Sequence, residues 1–170
     1  MVTLGLDAST SCVGYAFTQD KKILDMGFID IKKEKTPKEK VEKVLGFLNE
    51  SPYIDNVFDI NIEDSLSGFA GGFTSQQVII KLAKFNAILC FMLEQIFDME
   101  INSINPMTAR KNVFGQARLK GVKSKDYVKM KIEEMYDTKQ WCKTTRRGNW
   151  DKRNIDAYDG LVMSLFEEKG

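Results

Sequence analysis

The 170-residue sequence contains no histidine. That absence excludes serine–histidine and cysteine–histidine nucleophile pairs, imidazole general bases and every histidine-ligated metal site. Any metal must then be held mainly by oxygen, and a carboxylate-rich set suits hard divalent ions such as Mg2+ or Mn2+. Cysteine is scarce as well. Cys12, Cys90 and Cys142 are odd in number and far apart, which excludes a disulfide framework, a zinc knuckle and a Cys-x-x-Cys redox pair, and suits a reducing cytoplasm. Long apolar runs are missing too: the most apolar helix, around Ile79 to Phe97, is interrupted by Lys81, Lys84 and Glu94. Neither a membrane span nor a cleavable leader is expected.

A large charge imbalance is also lacking, since the net charge is +1, but this average conceals a split. Residues 110–153 carry 14 Lys/Arg against 5 Asp/Glu, a surplus of nine, which leaves 11 against 19 in the remainder. Tyr127, Tyr136, Trp141 and Trp150 are interleaved with that basic block. Cations mixed with aromatics are what a phosphate-tracking surface with stacking side chains requires, and a solvated lysine-rich surface is the plainer alternative.

At this length and 43% hydrophobic content one domain is expected, spanning residues 1–170. Apolar residues alternate at Val2, Leu4 and Leu6, and further strands are predicted from Val13 to Phe17 and from Ile23 to Ile31, giving an antiparallel meander. Pro37 opens a helix through Val41, Val44, Leu45 and Leu48, and Val57 to Glu63 reads as the fourth strand. A glycine-rich loop with Phe69 and Phe73 precedes a long helix over 76–97, N-capped by Thr74 or Ser75. A short strand over 100–104 ends at Asn105-Pro106. Helices follow at Thr108 to Val113 and at Ser124 to Tyr136, the latter capped by Ser124, then a loop over 137–150 and a final helix over 151–168. The expected class is α/β, with a mixed five-stranded sheet, three antiparallel strands then parallel ones, flanked by helices.

Four acids fall where such a fold does chemistry. Asp7 ends the first strand and Glu63 the fourth, at the carboxyl edge where open α/β sheets place their sites. Asp64 is the alternative to Glu63, although strand alternation favours Glu63. Asp156 and Asp159, three apart on the last helix, project from neighbouring positions on one face. Each acid alone has a bland reading as a turn, cap or solvated residue. Together they would repel one another without cations, so the cluster implies divalent metal. Two ions about 4 Å apart can acidify a water, neutralise a scissile phosphate and stabilise the departing oxygen without any histidine.

The segment Leu-Gly-Leu-Asp-Ala-Ser-Thr-Ser-Cys-Val-Gly-Tyr-Ala-Phe, residues 4–17, resembles the opening strand pair of RuvC-type Holliday junction resolvases. Ile-Asn-Ile-Glu (60–63), Asn-Pro-Met-Thr-Ala-Arg-Lys with Gly115 downstream (105–115) and Asp-Ala-Tyr-Asp-Gly-Leu (156–161) follow in that family's order. The resemblance implies an RNase H-like fold, a homodimer formed through helix 76–97, Mg2+ or Mn2+ dependence with two ions per site, and paired nicks across four-way DNA junctions. In the comparison Asp7, Glu63, Asp156 and Asp159 match the metal-binding tetrad. Arg110, Lys111 and Lys125 match basic positions near the DNA backbone, Lys125 at the catalytic centre. Arg118, Lys120 and Lys123 in the same block are expected to contact DNA.

The chain departs from bacterial members at Ala8-Ser9, in place of Pro-Gly, and at Asp64-Ser65-Leu66, in place of Gln and an aromatic. Phe69 or Phe73 could replace that aromatic as a stacking wedge, or simply cover the core. By analogy the chain suits a bacteriophage, acting in the host cytoplasm. Two rivals stand beside the resolvase reading. An actin-like or sugar-kinase ATPase begins with a similar acid and hydroxyl run but needs a second domain and a second phosphate hairpin. The other is a non-catalytic module that binds branched nucleic acid through its basic third.

Overall fold

Alternation of Val2, Leu4 and Leu6 with Thr3, Gly5 and Asp7 makes the first strand, β1 (Val2–Ala8), in the computed structural model, which describes residues 1–64 and 75–168. β2 (Cys12–Gln19) and β3 (Lys22–Asp30) follow, each antiparallel to its predecessor, with Asp20 and Lys21 in the left-handed region at their turn. α1 (Pro37–Asn49) opens on a capping box, in which Thr36 accepts from the Glu39 amide and Glu39 accepts from the Thr36 amide. β4 (Val57–Glu63) then runs parallel to β1, and α2 (Gln76–Phe97) leads to β5 (Asn102–Ile104), parallel to β4. The sheet order is β3-β2-β1-β4-β5, the mixed arrangement the sequence predicts.

Several element boundaries differ from those the sequence predicts, those of the C-terminal helices for local reasons. α3 (Pro106–Phe114) starts two residues early because the Asn105 side chain accepts from the amides of Met107 and Thr108, and Pro106 occupies the first turn, where its missing N–H costs nothing. Asn-Pro is therefore a helix start and not a strand end. α4 (Ser124–Met135) has Lys123, not Ser124, at its cap; Ser124 lies in the first turn and its hydroxyl accepts from Arg110. α5 (Asn154–Ser164) is shorter than expected at both ends. Its expected first turn is diverted because the Asp151 carboxylate accepts from the backbone and guanidinium of Arg153. β5 covers only three residues. Ser75 takes the cap position of α2 without a side-chain bond.

Each sheet face carries its own core. Leu4, Leu6, Phe17, Ile60 and Ile62 pack against α1 and α2 through Val44, Leu48, Phe85 and Leu89. On the opposite face Ala16 and Met26 pack with Tyr158, Leu161 and Val162 of α5, Ala109 of α3, and Val128 and Ile132 of α4. α5 lies directly on the sheet because glycines leave room for it. A Cβ on Gly5 would stand 2.1 Å from the Gly160 carbonyl oxygen, and one on Gly14 would stand 1.7 Å from that of Asp156. Only a strand residue without a side chain permits such backbone-to-backbone approach. At the far end Asn61, buried on the same face, donates to the Met163 carbonyl at 3.0 Å and ties α5 to β4.

Candidate active site

The β1–β4 register ends at the Leu6–Ile62 pair, so Asp7 and Glu63 come next, side by side at the carboxyl ends of adjacent parallel strands. Both belong to the alternation that faces α5. Asp7 is also paired with Gly14 of β2, the residue on which the Asp156 backbone rests. The close seating of α5 thus sets Asp156 beside Asp7, and Asp159, 4% exposed, lies one turn further along. Four carboxylates from three elements meet at one sheet edge.

Their charges are felt mutually. Burial first, then Glu63, Asp159 and Asp156, hold the Asp7 carboxyl well above the usual carboxylate range, with Lys125 pulling the other way. Burial and Asp159 push Glu63 up to about 7, opposed by Arg110 and Lys125. Asp159 is raised by burial although Arg110 and Lys125 act against it. Two cations answer the cluster. Arg110, itself 9% exposed, places Nη2 3.2 Å from Asp159 Oδ1, while its buried Nε has no partner among the described residues. Lys125 Nζ lies 3.4 Å from Asp156 Oδ1 with its side chain 66% exposed. Burial disfavours the Lys125 charge, but Asp156 and Asp159 outweigh it and raise the ammonium's pKa.

Among the described residues no three acids or cysteines are spaced as a closed ligand shell. The donor set nevertheless fits a hard divalent cation in kind: four carboxylates, no histidine, and two acids whose charge burial and neighbouring carboxylates disfavour, a penalty that positive charge relieves.

The expected DNA-contacting residues divide. Lys111, Arg118, Lys120, Lys123 and Lys125 are exposed. Arg110 is not at the surface but is the buried partner of Asp159. Phe69 and Phe73 lie outside the described residues. Two aromatics of the basic block are taken up by packing: Tyr127 is buried with its hydroxyl donating to the Gln116 carbonyl, and Trp150 is packed beside Tyr158 with Lys129 4.3 Å above its ring. Sequence reasoning missed Ser124 as a support for Arg110, and the glycines that seat α5. Glycine inside a strand pattern was the available signal for the second.

No family model matches the chain, and no curated sequence matches it. Solved structures do. RuvC of Thermus thermophilus superposes with a TM-score of 0.64 at 12% identity, over 97% of this chain and 92% of that one. The same protein in complex with a Holliday junction substrate gives 0.62 at 11%, over 97% and 90%. The yeast mitochondrial Holliday junction resolvase Ydc2 gives 0.59 at 15%, over 95% and 75%. The chain has the RuvC-type, RNase H-like fold. On this RuvC-type scaffold the segments that carried the sequence resemblance fall on β1–β2, the end of β4, α3 and α5, and three of those elements supply the four acids.

Proposed function

We propose that the chain is a metal-dependent endonuclease that resolves four-way junctions or related branched DNA by paired nicks. The observation that carries this reading is the convergence of Asp7, Glu63, Asp156 and Asp159 at the carboxyl edge of a RuvC-type sheet, with Lys125 and Arg110 beside them. The four carboxylates would hold Mg2+ or Mn2+, two ions per site. Such ions, when bound, supply Lewis acidity and neutralise charge on the scissile phosphate.

The chain's own groups set the rest. Arg110, braced by Ser124, fixes the orientation of Asp159. Lys125, mostly exposed and, among the described residues, paired with Asp156, can turn toward a phosphate oxygen and stabilise charge developing there. Lys111, Arg118, Lys120 and Lys123 extend the positive surface along the substrate. The protein acts as a homodimer joined through α2, in the cytoplasm of a bacterial host if it is phage-encoded.

Labelled four-way junction, duplex and single-stranded DNA incubated with and without Mg2+ test this directly. The wild-type chain should cut the junction only with the ion. Asp7→Asn should cut at least about a hundredfold more slowly, a larger loss than groups that merely orient a ligand usually cause. Junction binding without cutting in either Mg2+ or Mn2+ would replace the nuclease reading by that of a binding module.

A further inference from the structure

The turn after Asp7 has a second side. Ser9, Thr10 and Ser11 join β1 to β2, and beyond them, on the α1/α2 face, opens a groove of about 480 Å3. Lys35 and Lys40 line it from α1 and the residues before it, Lys81 and Lys84 from the first turns of α2, with Val78 and Phe85 forming an apolar floor. Lys40 donates to the Thr10 carbonyl, which fixes the groove against the turn that leaves the active site.

Two features separate these lysines from ordinary surface cations. First, among the described residues no acid lines the groove, although the chain outside residues 110–153 is net negative. Second, again among the described residues, none of the four makes an ion pair, whereas on the same helix Lys38 pairs with Glu42 at 3.6 Å and Lys43 with Glu34 at 2.8 Å. Glu39, the acid between them in sequence, is engaged by the amides of Lys35 and Thr36. Four ammonium groups without an ion pair among the described residues, over an apolar floor, complement a chain of phosphates joined by sugars, the cations meeting the former and the floor the latter.

We infer that this groove is a second DNA track, holding the sugar–phosphate backbone of the strand as it passes Thr10 away from the carboxylates. The inference rests on the nuclease reading and extends it to a surface outside the basic C-terminal third.

The test compares the wild-type chain with Lys35→Gln/Lys81→Gln/Lys84→Gln and with the matching triple arginine variant, leaving Lys40 to hold Thr10. Anisotropy of a labelled four-way junction and of duplex DNA is titrated without divalent ions over a range of salt concentrations. The glutamine variant should bind about tenfold or more weakly, and its log–log salt slope should fall by roughly 0.9 for each phosphate no longer engaged. The arginine variant should restore both. With Mg2+, the glutamine variant should need more protein to saturate single-turnover cutting yet reach the wild-type rate. Unchanged affinity and slope would overturn the groove while leaving the nuclease intact. Equal loss in the glutamine and arginine variants, or a change in self-association, would also overturn it, since charge would not be the cause. A wild-type chain that neither binds nor cuts DNA would overturn the nuclease reading and the groove together.

Discussion

Asp7 and Glu63 are held where burial resists their charge and neighbouring carboxylates resist it further. Their folded-state pKa values therefore lie above those of the unfolded chain, about 7 against an ordinary 4.5 for Glu63. Stability from this source is fully present below the unfolded value. It is lost as pH rises through the folded one, because in that window the folded state keeps protons the unfolded chain has released. A divalent ion, if the ionised acids hold one, would reverse the trend by stabilising the folded state where they are deprotonated. In a metal chelator the melting temperature should thus fall by several degrees between roughly pH 5 and pH 8. Millimolar Mg2+ should raise it much more at the upper end than at the lower, and Asp7→Asn should flatten both responses. Scanning calorimetry at the two pH values decides this, and an equal Mg2+ shift at both would mean that other groups hold the ion.

At the scale of elements, α5 matters most, because two of the four acids ride on it and its seat is made by glycine. Gly14→Ala would drive a methyl carbon into the Asp156 carbonyl, 1.7 Å away, so the helix must lift or the strand must bend. The expected cost is about 3 kcal/mol. Cleavage should fall by about a hundredfold in whatever folded protein remains, the usual result of moving a catalytic group by an ångström. Gly46 provides the contrast. It lies on the exposed side of α1 with nothing within 4 Å of the place a methyl would occupy, so Gly46→Ala should stabilise by roughly 0.5–1 kcal/mol through helix propensity and leave cutting unchanged. Denaturant unfolding and junction cleavage on the two variants check the pair. The difference between local and long-range causes also decides which parts of the site are legible in the sequence. Strand alternation puts Asp7 and Glu63 each opposite its own strand's apolar residues and favours Glu63 over Asp64, while their meeting at one edge follows from the β1–β4 pairing. The roles of Arg110 and Trp150 depend on which helices pack over α5, a long-range matter that a local basic or aromatic pattern does not encode. Asn105-Pro106 is ambiguous for a different reason: it is a complete local helix-start signal, but Asn-Pro also ends strands.

For the whole molecule, α2 presents a surface that the other described residues do not cover. Leu82, Phe85, Leu89 and Leu93 face the core, while Phe91, 58% exposed, and Ile88, three residues before it, point away from it in the C-terminal half of the helix, beyond the lysines of the groove. A two-fold copy of this chain laying its α2 along the same stripe would bury those side chains and set two carboxylate clusters in one symmetric frame, which is what paired nicks in a four-way junction demand. Phe91→Asp places a charge at the centre of that contact. If the proposed dimer forms, it should weaken self-association by at least about a hundredfold, as for a truncated central anchor, and give monomers in sedimentation at concentrations where the wild-type chain associates. The monomer should keep its fold and its Mg2+-dependent melting shift, because Phe91 is exposed on the side of α2 away from the core. It should nick one strand of a junction without the coordinated second cut. A Phe91→Asp protein that still sediments as the wild-type dimer would place the subunit contact on another surface. One that makes paired cuts as a monomer would remove the need for a dimer, because a single carboxylate cluster would then have to reach both strands in turn.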